Sequence, residues 1–171
     1  DYQYGDYSWN RVWKYTMGVD WNEKYGTELV VLGYNPYEKH FLVVDAYHLE
    51  SSEFTQLKGI EQLLAMNKKW HPQAVYVDSG NGSTNVELLM KMAQENIGPY
   101  GDRDTANLSQ TLKKYDSGSS ISIKDAVTHE DVKKQAKQFM VNASVRFFEQ
   151  NKIWLSSYDN KLDQQLRNYI I

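Results

Sequence analysis

The chain has 171 residues, 41% of them hydrophobic and 24% charged, a length that supports one buried core and a composition that excludes wholesale disorder. Its formal charge of -3 excludes a strongly basic, free-standing nucleic-acid binder, because neutralisation of phosphates by Lys and Arg dominates non-specific affinity. The lack of cysteine excludes disulfides and thiolate metal sites, leaves oxygen and imidazole as metal ligands, and fits a reducing cytoplasm.

No run approaches the ~18 consecutive apolar residues that span a bilayer, so a soluble chain with no membrane partner is expected. Asp1 stands where a gene product would begin with methionine, and the expectation is a domain of a longer protein, without a targeting segment. Residues 1–14 are rich in tyrosine and tryptophan without periodicity. They read as a leading segment or linker that packs its rings on the domain, with Trp9 and Trp13 as anchors, ahead of one domain over 15–171.

From residue 15 the run Tyr-Thr-Met-Gly-Val-Asp predicts a short buried strand ending on Asp20. Residues 28–34 are apolar and β-branched, Asn35-Pro36 marks a turn, and 40–47 predict a third strand, giving three in antiparallel succession. Ser51 or Ser52 caps a predicted helix with Phe54, Leu57, Ile60 and Leu64 at helical spacing, stopping before His71-Pro72. Residues 74–77 predict a short buried strand that delivers Asp78. After a Gly-Asn-Gly loop, Thr84 and Glu87 have the spacing of a capping box for a helix carrying Val86, Leu89, Ala93 and Ile97 and ended by Gly98. Residues 98–128 are polar and glycine-containing, and we expect a mobile excursion with one strand at 121–123. Thr128 and Asp131 mark a further helix start, with an apolar stripe of Val132, Ala136, Phe139, Ala143 and Phe147. A strand at 152–155 and a helix from about 159 complete the chain.

Two strands thus end in aspartate, at Asp20 and Asp78, and strand ends of an α/β sheet are where sites form. If the two strands are parallel neighbours, both carboxylates emerge at one sheet edge and can share hard cations through oxygen. Two such ions activate a water and stabilise the leaving oxygen of a phosphodiester. The bland alternative is that each aspartate merely caps a turn.

The order strand, hairpin, helix, strand, with acids on the first and fourth strands, resembles the ribonuclease H-like layout: an α/β fold with a mixed central sheet, strands 1–3 antiparallel and later strands parallel to strand 1, flanked by helices. More specifically, Gly18-Val19-Asp20-Trp21-Asn22, Gly26-Thr27, Val75-Tyr76-Val77-Asp78 and Ala136-Lys137-Gln138-Phe139-Met140-Val141-Asn142 resemble the nuclease domain of tailed-phage terminase large subunits. So does the run from Phe148-Glu149 through Leu162, Gln165, Leu166 and Tyr169, and the similarity covers residues 17–171. The resemblance implies a metal-dependent endonuclease that cuts concatemeric viral double-stranded DNA. It implies Asp20 and Asp78 as catalytic metal ligands for Mg2+ or Mn2+, two ions expected. It further implies the terminase ATPase domain, the small terminase subunit and the capsid portal as partners, in the host cytoplasm at the procapsid.

Two departures stand out. The phosphate loop G-x-x-x-x-G-K-[ST] of the family's motor is absent, so this chain is not the motor. The family's third acid, in a D-H-x-x-D-A-like helix start, is also absent, which implies a truncated C-terminal end; Asp159 and Asp163 are the nearest substitutes by position. Glu23 is a weak loop candidate beside Asp20. His40, His48, His71 and His129 lack metal-ligand spacing and read as structural, and Ser79 and Ser83 lack a histidine base and read as loop-shaping. Lys113, Lys114, Lys124, Lys133, Lys134 and Lys137 cluster late in the chain. Of these Lys124, Lys133 and Lys137 are candidates for nucleic-acid contact, Lys133 and Lys137 sharing a predicted helix face. Two alternatives compete: a non-catalytic ribonuclease H-like module that docks on DNA or a portal, and an actin- or sugar-kinase-like ATP lobe suggested by Gly18-Val19-Asp20 and the glycines after Asp78.

Overall fold

The computed structural model describes residues 2–22, 24–78, 80, 83–95, 107–116, 118–156 and 158–168, apart from the side chains of residues 83, 93, 94 and 160. Glu23, Ser79, Gly98, Ile97, Tyr169 and the stretch 98–106 of the expected excursion lie outside them, as does the Ser83 side chain.

Six strands form one sheet: β1 (Lys14–Asp20), β2 (Thr27–Asn35), β3 (His40–Leu49), β4 (Ala74–Asp78), β5 (Leu112–Tyr115) and β8 (Ile153–Trp154). Their order is β5-β4-β1-β2-β3-β8. β2 pairs antiparallel with both β1 and β3, whereas β4 is parallel to β1, β5 to β4 and β8 to β3. In this sheet β2 alone therefore runs against the rest, which is the ribonuclease H-like mixed sheet. β6 (Ser120–Lys124) and β7 (Asp131–Gln135) pair as a separate antiparallel ribbon.

Alternation along β1 explains the layering. Tyr15, Met17 and Val19 are buried on one face, while Gly18 and Asp20 open on the other. The buried face packs on α1 (Gln56–Trp70) and α2 (Ser83–Glu95) through Ile60, Leu63, Leu64, Trp70, Val86 and Leu89. The opposite face looks toward α4 (Ala136–Glu149) and α5 (Asn160–Asn168); a single turn, α3 (Leu108–Thr111), precedes β5.

Several expectations are corrected. α1 is capped by Thr55, whose side chain accepts from the Lys58 N–H, and Ser51–Glu53 form a separate 3-10 turn. Phe54 therefore precedes the helix, and Leu57 is exposed. Thr84 lies inside α2, which begins at Ser83, so its spacing to Glu87 is not a cap. The expected helix start at Thr128 is a hairpin turn: the Asp125 carboxylate accepts from the N–H groups of Val127 and Thr128, and His129 turns the chain with a φ of 58°. Val132 and Lys133 consequently belong to β7, and Lys133 shares no helix face with Lys137. β5 is a strand that the sequence pattern did not disclose.

In the leading segment, Trp9 is 46% exposed and touches His71 edge-on, so it anchors little. Trp13 stands over His40 and packs against the core, and the Tyr2 hydroxyl donates to the Val43 carbonyl. Burial beside Tyr7 and Asp159 pushes the Tyr2 hydroxyl well above its ordinary pKa.

Candidate metal centre

Asp20 and Asp78 owe their positions to one register. β1 and β4 are parallel with Val19 beside Val77, and each aspartate is the next residue of its strand. Val19 and Val77 point into the core, so both carboxylates point to the open face. Glu28, the second residue of β2, lies directly opposite Asp20, and Tyr115 ends β5 opposite Asp78. The four residues Glu28, Asp20, Asp78 and Tyr115 therefore form one row across four strands.

The row lies in a cleft of about 1220 Å³ between the sheet and α4, with Ile121 of the ribbon and Asp163, Leu166 and Arg167 of α5 at its margins. Although Asp20 remains accessible, the walls strip water from it, and this desolvation is the main reason its pKa is raised. The charges of Asp78 and Glu28 add to the rise, and Lys137 opposes it. Tyr115 is raised for the same reasons, desolvation first and Asp78 second. The Asp78 carboxylate accepts from the Gly80 N–H at 2.9 Å, which holds the strand end in place. Behind Asp20, Gly26 turns the β1–β2 loop with a φ of 98°, and a Cβ there would stand 2.7 Å from the Leu49 carbonyl, so only glycine fits.

Glu28 and Tyr115 were not found by sequence reasoning. Glu28 was recoverable, since a hairpin from Asp20 through a short loop sets it opposite that residue; Tyr115 was not, because its strand carried no signal. Glu28 is further held by His48, whose Nδ1 lies 2.5 Å from the carboxylate while Nε2 faces Glu50 at 2.9 Å. His48 thus bridges two carboxylates, and His40 is stacked on Trp154.

Of the two proposed substitutes for a third acid, Asp163 lines the cleft but is paired with Arg167 at 2.7 Å. Asp159 lines a separate pocket of about 170 Å³, where it accepts from the Tyr4 hydroxyl and from the Leu162 N–H at the start of α5. Among the described residues no group of three or more His, Asp or Glu side chains is placed to hold a metal ion. What is present is a pair of neighbouring carboxylates, with the pKa of Asp20 raised, an all-oxygen donor set that suits a hard cation completing its shell with water. Lys137 faces this pair from α4, whereas Lys124 and Lys133 lie out on the ribbon.

The fold and the site thus define a ribonuclease H-like α/β domain with an acidic pair at the ends of its first and fourth strands. No family model matches the chain, and no curated protein matches it. Among solved structures, the large terminase from the thermophilic bacteriophage D6E is distantly similar. Crystal form 2 gives a TM-score of 0.40 at 19% identity, crystal form 3 gives 0.39 at 18%, and crystal form 3 with ATP-gamma-S gives 0.39 at 17%. Each alignment covers 78% of this chain, which spans only 38% to 39% of the terminase's length.

Proposed function

We propose that the chain is the metal-dependent endonuclease domain of a phage DNA-packaging terminase large subunit, cutting concatemeric viral double-stranded DNA by phosphodiester hydrolysis. The observation that carries the reading is the parallel register that sets Asp20 beside Asp78 on the open face of the sheet. In this reading Asp20 and Asp78 hold Mg2+ or Mn2+, with two ions in the complete site, which supply Lewis-acid stabilisation of the scissile phosphate and an activated water. The chain's own residues do the rest. Asp78 is oriented by the Gly80 N–H, Lys137 offsets the negative charge around Asp20, and the apolar wall of α4 limits the bulk water around the carboxylates. Lys124 and Lys133 on the ribbon contact the phosphate backbone outside the cleft. Partners are double-stranded DNA, the ATPase domain, the small subunit and the portal, met in the host cytoplasm.

The experiment is cleavage of supercoiled plasmid by the purified chain with Mn2+. Nicked and linear products that chelator abolishes support the reading; plasmid left intact by this chain and by a longer one that extends its C-terminus refutes it. That second outcome would favour a non-catalytic docking module, a reading favoured by the absence, among the described residues, of three or more His, Asp or Glu side chains grouped to hold a metal ion.

A further inference from the structure

One row in from the acids, the same cleft has a different chemistry. Val30, Gly18 and Tyr76 are register partners across β2, β1 and β4, and Lys113 of β5 continues the row. Tyr76 is 50% exposed although it sits in a central strand flanked on both sides. Its neighbour Gly18 leaves it uncovered: a Cβ placed there would meet nothing within 4 Å. The facing wall is also apolar, made by Phe139, Met140, Phe148 and Leu166. The result is a bare aromatic platform, open to a cleft of about 1220 Å³, two residues before Asp78.

We infer that Tyr76 and the bare floor at Gly18 form a subsite for an unpaired nucleobase of the strand whose phosphate is held at Asp20 and Asp78. The identity of that strand rests on the nuclease reading above; the platform itself does not. Two residues along a strand span roughly 7 Å, comparable to the reach from a nucleotide's phosphodiester to its base. The two ends of the cleft match the two ends of a nucleotide. Carboxylates able to take a cation, with Lys137 nearby, meet the phosphate, and the aromatic and aliphatic floor meets the planar base. A paired duplex turns its phosphates outward and gains nothing from an apolar wall, whereas an unstacked base buries its face on a ring. The preferred substrate is therefore a strand with at least one unpaired nucleotide at the cut.

The test is binding of two labelled oligonucleotides of equal length to the intact chain, one bearing thymine bases and one abasic, at low salt with chelator. Both carry the same phosphates, so their difference isolates the base. Stacking on one aromatic ring corresponds to roughly a fivefold to hundredfold preference, and the base-bearing strand is expected to bind at least about fivefold tighter. Tyr76→Ala should erase the preference and Tyr76→Trp should keep it. Equal binding of both strands by the unaltered chain, or a preference that survives Tyr76→Ala, overturns the inference. So does a concentration-dependent dimer that Tyr76→Ala dissociates, since a second copy would then be the occupant. Plasmid cleavage run in parallel separates the two readings. Plasmid left intact by this chain and by the longer one, with a Tyr76-dependent base preference, removes the nuclease and keeps the subsite; cutting without that preference removes the subsite alone.

Discussion

Asp20 and Asp78 end adjacent parallel strands one step past the Val19–Val77 pair, so two carboxylates remote in sequence face the same cleft across about one interstrand spacing, roughly 4.8 Å. Neither is neutralised by an ion pair among the described residues, and burial first, then repulsion from Asp78 and Glu28, raises the pKa of Asp20. An arrangement that costs the folded state energy is the kind that functional sites retain.

That cost has a sign that can be measured. The pKa of Asp20 is higher in the folded chain than in the unfolded one, so the folded state binds the proton more tightly. Relative to a neutral side chain, Asp20 then costs stability once pH exceeds the unfolded value, and the full cost is reached above the folded value. Asp20→Asn is expected to raise the melting temperature at neutral pH in chelator. The gain should fade as pH drops through the raised folded value toward the ordinary aspartate value, and vanish below the latter, where the Asp20 side chain is uncharged in both states. Thermal melts across that range check this, and a variant less stable than the unaltered chain at neutral pH would contradict it.

The strand end that carries Asp20 is braced by Trp21, which is 2% exposed and packs against α1 at Gly59. A Cβ at Gly59 would stand 2.9 Å from the Trp21 ring. Alanine in mid-helix ordinarily gains up to about 1 kcal/mol over glycine, but overpacking a buried ring costs about 1–3 kcal/mol. Gly59→Ala should be net destabilising in urea unfolding.

Asp45 joins β3 to α1 by accepting from the Trp70 indole N–H and the Lys69 ammonium, each at 2.8 Å. The two partners differ in burial: Trp70 is 0% exposed, the Lys69 side chain 48%. Asp45→Ala strands a buried donor and should cost about 1–3 kcal/mol. Lys69→Ala removes only an exposed ion pair and should cost at most about 1 kcal/mol. Equal losses in urea unfolding would show that the indole bond is not what holds this joint.

On the proposed reading Lys137 meets the phosphate nearest the acids. Lys137→Ala should weaken DNA binding alike for all sequences and lower the slope of log affinity against log salt by about 1. A slope unchanged in a salt titration would place Lys137 outside the contact.

The centre of this fold was legible in the sequence because burial there follows local alternation. Tyr15, Met17 and Val19 point inward and Asp20 outward by strand periodicity alone, and the run from Val75 to Asp78 repeats the pattern. The late chain was less legible, for two physical reasons. Leu112-Lys113-Lys114-Tyr115 holds too few apolar residues to announce a strand; its pairing to the edge of β4 is a tertiary effect. Asp125 and Thr128 bond local N–H groups in a hairpin turn with the same side-chain chemistry that would cap a helix, so the residues alone did not separate the two. Glu28 was hidden differently, as a charge near the start of a strand whose meaning depends on the register opposite Asp20.

The most direct test of the shared-cation claim is calorimetric titration of Mn2+ into the unaltered chain, Asp20→Asn and Asp78→Asn. Saturable binding in the unaltered chain, lost in each single variant, is the result this account predicts. Binding of equal strength and stoichiometry in all three, or none in the unaltered chain, would contradict it.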